Sequence, residues 1–311
     1  MKNALIVGHK GQDGTFLWNH LKEKGYSLIG VDKDKVESEG IDYHGPNSLN
    51  ILDKVQVTNF IKEITPGEIY YLAAFHGSSE QINENDVDLF ENNFEVNTKG
   101  ILYFLEAVKS CSPNTKIFYA SSCLIFAESK DSIQNEKSSF APNSPYGISK
   151  LNGLLICRYY RNKYSLNIST GILYNHESYL RPPSFISQKI VKAAVDIKNG
   201  VSDQLILGNI EAEVDWGFAG DYIEAMHMIV ESNKPDEYII ATGELRSIKD
   251  LLKIAFDEVG LNWEIYVEQD SSIINNKRNT LVGDISKIRK DIKWEPKTTF
   301  TDMIKTMVKK I

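Results

Sequence analysis

The chain opens on a four-residue apolar run, Ala4-Leu5-Ile6-Val7, that passes at once into Gly8-His9-Lys10-Gly11-Gln12-Asp13-Gly14. No other feature restricts the fold as much. A short run without polar alternation marks a strand covered on both faces, as in a parallel sheet. Glycines spaced Gly-x-x-Gly-x-x-Gly let the chain turn tightly and let backbone approach a helix or a pyrophosphate. Thr15 to Lys24 then sets Phe16, Leu17, Trp18 and Leu21 at helical spacing, with Gly25 as a stop. Ser27-Leu28-Ile29-Gly30-Val31 reads as the next strand, closed by Asp32. Strand, glycine loop, helix and strand within about 30 residues form the building unit of a dinucleotide-binding sheet.

The alternation continues. Ile69 to Ala74 and Lys116 to Ala120 are further strand candidates, and Asn97 to Lys109 carries Ile101, Leu102, Leu105 and Val108 on one helical face. This rhythm predicts an α/β fold, a doubly wound parallel (Rossmann) sheet. Past residue 170 it weakens. Arg181-Pro182-Pro183 is a break, Leu205-Ile206-Leu207 a short strand, and Thr301 to Lys310 reads as a polar terminal helix. The expected division is a dinucleotide-binding domain over 1–170 and a smaller C-terminal α/β substrate lobe over 171–311, with some segments returning to the first domain.

The formal net charge of -7 argues against a general nucleic-acid binder but leaves room for a local basic pocket. Cys111, Cys123 and Cys157 are too few for a disulfide framework, and neither they nor the six histidines have metal-ligand spacing. A reduced, cytoplasmic setting follows. No stretch has the length of a membrane span, and no signal peptide is evident.

In the glycine loop, Gly8, Gly11, Gln12, Asp13 and Gly14 are the candidate contacts to a pyrophosphate at a helix N-terminus. Asp32 can accept from adenosine ribose hydroxyls and would repel a 2′-phosphate, which favours NAD over NADP, although Lys33 and Lys35 stand nearby. Asn50-Ile51-Leu52-Asp53 suits either an adenine-bracketing loop or a helix N-cap. Lys10 is placed either to reach a phosphate or to remain a solvated loop lysine.

Tyr146-Gly147-Ile148-Ser149-Lys150 supplies the chemistry. Residues four apart share a helical face. A tyrosine with an ordinary pKa near ~10 is a poor base at neutral pH, and a nearby ammonium is expected to favour its phenolate. Ser122 ends the Lys116 strand, at the edge where such sheets bind ligands, and can orient an alcohol against Tyr146. The constellation reads as hydride transfer between a nicotinamide and an alcohol carbon. Cys123 beside it has no neighbouring base in the motif and reads as packing.

With these motifs in view the chain resembles the extended short-chain dehydrogenase/reductases, the nucleotide-sugar epimerase/dehydratase group, and within it the GDP-mannose 4,6-dehydratase family. The likeness spans nearly the whole chain. It is carried by Gly11-Gln12-Asp13-Gly14, Leu72-Ala73-Ala74, Asn97, Ser144-Pro145-Tyr146, Asn175-His176-Glu177-Ser178, Leu207-Gly208-Asn209, Asp215-Trp216-Gly217, Asp221-Tyr222, Ala241-Thr242-Gly243-Glu244 and Gly283-Asp284. The resemblance implies bound NAD along Leu72, Ala73 and Ala74, and a GDP-sugar touched by Asn175 and Glu177. It also implies a nucleotide pocket between Arg181 and Lys189, a further contact from Arg278, and a homodimer or homotetramer.

One departure matters most. Such dehydratases use a glutamate two places after the hydroxyl residue to take the sugar's carbon-5 proton, and here that place holds Leu124. Glu128 lies four residues further on. His76 or Glu177 is the alternative source of a base. Val214 replaces the basic residue before Asp-Trp-Gly, and Ile274-Asn275-Asn276-Lys277 replaces an Arg-Pro-x-Glu run. The expectation is therefore an NAD-dependent oxidoreductase acting at carbon 4 of a GDP-sugar, as a 4-dehydrogenase or epimerase. The rivals are a GDP-mannose 4,6-dehydratase with a displaced base, and a catalytically silent nucleotide-sugar or NAD-binding protein.

Overall fold

A computed structural model describes residues 2–32, 35–41, 43–75, 85–270, 272–273 and 280–311. Strand β1 (Asn3–Val7) runs through the glycine loop into α1 (Gln12–Glu23), and β2 (Ser27–Asp32) returns beside β1 in parallel. The edge strand β3 (Lys35–Glu39) is antiparallel to β2, which the parallel pattern did not anticipate. Its sequence, Lys-Val-Glu-Ser-Glu, is polar, as suits an exposed edge. Helix α2 (Lys54–Ile64) starts at Asp53, whose carboxylate accepts from Val55 N and Gln56 N, and leads to β4 (Glu68–Tyr71). Next come α3 (Asp86–Phe94), a six-residue π turn (Glu95–Gly100) and α4 (Ile101–Cys111). Strand β5 (Lys116–Ser122), a 3₁₀ turn (Cys123–Phe126), α5 (Pro145–Tyr164) and β6 (Ile168–Leu173) follow.

The second half begins with β7 (Asn175–Glu177), α6 (Ile186–Lys198), β8 (Leu205–Leu207) and β9 (Glu213–Phe218). Helix α7 (Ala219–Glu231) and β10 (Glu237–Ile240) then rejoin the main sheet. The chain ends with β11 (Leu245–Ser247), α8 (Ile248–Glu258), α9 (Trp263–Tyr266), β12 (Val267–Gln269), α10 (Ser286–Asp291) and α11 (Phe300–Lys309).

The main sheet has the order β10-β6-β5-β4-β1-β2-β3. Chain order reverses between β1 and β4, so the carboxyl ends of those strands open the crevice in which such sheets bind ligands. Alternate residues of β1 bury into opposite cores. Ala4 and Ile6 join Leu17, Leu21, Phe118, Met226 and Ile239 on the α1/α7 face, while Leu5 and Val7 join Val57, Phe60, Leu105 and Val108 on the other. Two small sheets, β11-β9-β7 and β12-β8, build the second lobe around Trp216, Leu252 and Phe256. The terminal helix is amphipathic, not polar: Met303, Ile304, Met307 and Val308 bury into that lobe's core, four apolar residues at i, i+1, i+4 and i+5.

At the opposite, amino end of the sheet a polar chain is buried between α1 and α7. His20 Nε2 lies 3.0 Å from His227 Nδ1, and His227 Nε2 lies 3.1 Å from the Tyr26 hydroxyl, which donates to Glu68. Glu231, Lys2 and Lys24 act on the same imidazole. Burial pushes both histidines below their ordinary 6.5, and for His227 it outweighs the opposing pull of Glu231. The folded state thus holds them neutral where the unfolded chain would take up protons. Their contribution is complete above about pH 6.5 and is lost as pH falls. Tm is expected to drop steeply below that pH, and His227→Gln is expected to flatten the profile; an unchanged slope in a thermal-melt series would contradict this assignment.

Candidate active site

The glycine loop is built from close approaches. Gly8 has φ +91°, its N–H donates to Val31 O at 2.7 Å, and a Cβ there would lie 2.7 Å from Ala73 N. A Cβ on Gly14 would lie 2.2 Å from Gly8 O, so α1 can pack on the loop only without a side chain. Gly11 is different. Its nearest neighbour to an added Cβ is 3.5 Å away, and as N-cap of α1 it offers no side-chain cap. The first turn of α1 is therefore an open, positive helix end with room for a phosphate. The residues present fit a dinucleotide pyrophosphate.

Around this cradle, Leu72 N donates to Val7 O at 2.9 Å, and Leu72–Ala74 run on past the end of β4. Asp32 accepts from Lys10 N at 3.2 Å. Lys10 turns its ammonium to Glu37, 2.5 Å away, and not to the cradle. His9 is buried below the loop, 3.2 Å from Glu37 and against Gly30, where a Cβ would meet its ring at 2.4 Å. Asn50 uses its side chain locally, accepting from Leu52 N at 2.9 Å, and Ile51 is half-buried beside it.

Ser122 is the last residue of β5, and its hydroxyl is hydrogen-bonded to Tyr146 and accepts from Leu124 N at 3.2 Å. Ser144 caps α5 by accepting from Gly147 N at 3.1 Å, and Pro145 presets the first turn. One turn on, the buried Lys150 donates to Ala120 O at 2.9 Å, with its ammonium 5.7 Å from the centre of the Tyr146 ring. Burial pushes the Lys150 ammonium down to about 7, against the pull of Asp13. Burial also raises Tyr146 well above its ordinary value; Arg181 and the Ser122 hydrogen bond pull it back. Lys150, the ammonium expected to supply that pull, is not its source. Desolvation dominates instead, and the strongest offsetting cation is Arg181.

In the sequence Asn97 opens the helical pattern to Lys109 and belongs to the family likeness. It is fully buried, donates to Ser149 Oγ at 3.0 Å and accepts from Phe75 N at 3.2 Å. The π turn places it there. That turn frees the carbonyls of Val96 and Asn97, which accept from the Tyr71 and Tyr119 hydroxyls at 2.7 Å each. A polar residue on an otherwise apolar helix face was the available signal.

The second lobe meets this centre through β7. Asn175 Oδ1 lies 4.0 Å from Cys123 Sγ. The His176 imidazole pairs with Asp13 at 2.9 Å. Glu177 is buried, accepts from Ser187, and faces Arg181 at 3.2 Å. The Arg181 guanidinium stacks 3.8 Å over Phe185. Lys189 is half-buried on α6. Asp215 accepts from Thr242 N, Gly243 N and Gly283 N at 2.9, 3.0 and 3.2 Å, joining three of the sequence runs at one carboxylate. Leu124 sits half-buried on the 3₁₀ turn with its carbonyl against Gly147, where a Cβ would approach to 2.7 Å. Glu128 is exposed and accepts from Asn143 at 2.5 Å. Burial pushes the Cys123 thiol up to about 12, consistent with packing. His76, Lys33, Arg278 and the 274–277 run lie outside the described residues.

A family model described as GDP-mannose 4,6 dehydratase matches residues 5–307. The chain belongs to that family. It is 35% identical to GDP-mannose 4,6 dehydratase 1 of Arabidopsis thaliana over 99% of this chain and 89% of that protein. It is 31% identical to GDP-mannose 4,6 dehydratase of Homo sapiens over 98% and 90%. The structure of RMD from Pseudomonas aeruginosa complexed with NADPH matches with TM-score 0.85 at 18% identity, covering 100% of this chain and 98% of that one. The GDP-mannose 4,6-dehydratase family consists of nicotinamide-dependent enzymes acting on nucleotide sugars. Among the described residues no helix is long and apolar enough to cross a membrane.

Lys150 carries one hydrogen bond to a carbonyl in a dry setting, a costly arrangement. Lys150→Met keeps the length and removes the ammonium. It is expected to raise Tm by a few degrees, roughly 2–4 °C for about 1 kcal/mol, and to lower turnover by about 100-fold or more. Thermal melts and initial rates on the same preparation check both; a lower Tm would show that the ammonium stabilises the fold.

Proposed function

We propose that this chain is an NAD-dependent oxidoreductase that acts at carbon 4 of a GDP-sugar, of the GDP-mannose or GDP-heptose kind, without the dehydration step of its relatives. One observation carries the reading. The Ser122–Tyr146–Lys150 group is assembled, while the turn beside it presents the aliphatic Leu124. Glu128 points away to Asn143, and Glu177 is engaged by Ser187 and Arg181.

Gly8, Gly11 and Gly14 would hold the pyrophosphate, Leu72, Ala73 and Ala74 would flank the dinucleotide, and Asp32 would take the ribose hydroxyls, favouring NAD. The nicotinamide supplies the hydride acceptor. Ser122 orients the carbon-4 hydroxyl, and Tyr146 takes its proton. Arg181 and Ser122 draw the phenol towards its ionised form, and the charged form of Lys150 acts in the same sense one turn away. Asn175 and Glu177 face the sugar from β7, and Arg181 and Lys189 serve the diphosphate. The ketone at carbon 4 then leaves as product or is reduced again from its other face as an epimer. Release leaves the cofactor reduced and calls for a second oxidant.

The family match supports the second reading, a 4,6-dehydratase whose base is displaced. The two are separated by incubating the purified protein and NAD with GDP-mannose and a GDP-heptose in deuterated solvent. A lasting rise at 340 nm, or a carbon-4 epimer, with no deuterium at carbon 5 is expected. Deuterium at carbon 5 of a 6-deoxy-4-keto product would instead establish the dehydratase. No spectral change and no turnover with either sugar would mark a silent binder. Leu124→Glu restores a carboxylate at the turn and is expected to introduce carbon-5 exchange absent from the parent protein; mass spectrometry of the sugar reads this directly.

A further inference from the structure

The two halves of the crevice are joined by an ion pair that neither the oxidation nor the cofactor cradle requires. Asp13, in the first turn of α1, receives the His176 Nε2 at 3.1 and 2.9 Å on its two oxygens. The other ring nitrogen, Nδ1, lies 2.7 Å from Tyr174 O. A carbonyl only accepts, so Nδ1 carries a proton. With Asp13 ionised, Nε2 also faces a group that only accepts. Both ring nitrogens then donate, the arrangement of an imidazolium. Burial opposes its charge, but the Asp13 carboxylate outweighs this and holds it above the ordinary histidine value. Asp13 in turn is held below the ordinary carboxylate value despite burial, chiefly by His176.

The pair does not stand alone. The neighbouring Gln12 donates to His176 O at 3.1 Å and accepts from Ser178 Oγ at 2.8 Å. The first turn of α1 thus grips β7 by main chain and side chain, across more than 160 residues of sequence. The back of the imidazolium stacks on Tyr222 at 4.8 Å. On one side of the grip is the open helix end at Gly11; on the other is Asn175, beside Cys123 and Ser122. Asp13 also faces the reaction centre, where its charge acts on both Tyr146 and Lys150.

We propose that Asp13 and His176 are a positioning pair that docks the sugar-facing strand β7 onto the cofactor loop and balances the charge seen by Tyr146. The inference rests on the reading of that loop as the dinucleotide site. The pair keeps a carboxylate close to a tyrosine that must ionise, and the imidazolium keeps that carboxylate from opposing the ionisation. Among the described residues, Arg181 and Cys123 also act on Tyr146, Lys150 is acted on by Asp13, Tyr222 stacks on the imidazole, and Glu177 reaches the group through Arg181.

The two single substitutions differ in their electrostatic effect. Asp13→Asn removes the carboxylate and, with it, the positive charge that the carboxylate sustains on His176, so the acid limb of kcat/KM is expected to stay near that of the parent. His176→Gln leaves the Asp13 carboxylate uncompensated, so the same limb is expected to move to higher pH by roughly half a unit to one unit. In the double variant Asp13→Asn/His176→Gln the limb is expected to return towards that of the parent, while KM for the GDP-sugar stays raised because the strand is no longer docked. NADH binding, followed by fluorescence, and Tm are measured on all four proteins. A limb that does not move in His176→Gln, or that moves as far in Asp13→Asn, would overturn the pair's role even where activity falls. Failure of the parent protein to bind NADH would overturn the reading of the loop, and this inference with it. If neither single variant is active enough to profile, the His176 ring proton is followed by NMR in the parent. An imidazole that is neutral at pH 6.5 would contradict the charged pair.

Discussion

The distance between α1 and the strand that feeds it sets the rest of the structure. A Cβ on Gly14 would fall 2.2 Å from Gly8 O, and one on Gly8 would fall 2.7 Å from Ala73 N. Backbone lies on backbone at both points. Only at that separation does the open end of α1 sit over the crevice between β1 and β4, and only then does Asp13 reach β7. The second lobe is therefore hung partly from the glycine loop, and the position of β7 follows from glycine geometry.

The reaction centre is governed by dryness more than by pairing. Lys150 has a single carbonyl acceptor and lies next to two aromatic rings, with its ammonium 5.3 Å from the centre of the Tyr119 ring. That setting lowers its proton affinity into the neutral range, while the same desolvation works against ionising Tyr146. Long-range charges offset the desolvation of the phenol only in part. Arg181, from a loop after β7, and Asp13, from α1, act on the phenol with opposite sign. Proton affinities at the carboxyl edge of the main sheet are thus adjusted from elements belonging to both halves of the chain.

Much of this was legible in the residues. The apolar run before Gly8, the spacing Gly8-Gly11-Gly14 and the interval from Tyr146 to Lys150 are local signals, and local signals survive without knowledge of tertiary contacts. Ser122 was found because strand ends are readable. What escaped was non-local. The antiparallel β3 is a polar strand defined only by its neighbour. Asn97 owes its position to a π turn held by two tyrosines from other strands. The terminal helix looked polar because Lys305, Lys309 and Lys310 dominate its composition, whereas its four buried residues show a face. Lys10 looked free for a phosphate, and its partner Glu37 lies on the strand that was not foreseen. The motif runs around Asp215, Thr242 and Gly283 were visible as a likeness, but their convergence on one carboxylate was not.

Tyr119 joins two duties that are usually separate. Its hydroxyl closes the carbonyl left open by the π turn, and its ring lies beneath the Lys150 ammonium; a Cβ on Gly153 would lie 2.1 Å from that hydroxyl, so the α5 helix is fitted around it. Any change there disturbs a helix, a strand and the Lys150 ammonium together. Leu124, by contrast, meets α5 through its carbonyl, which every amino acid possesses. The side chain at position 124 is therefore free of the packing that fixes α5, whereas Tyr119 is tied to both the helix and the strand.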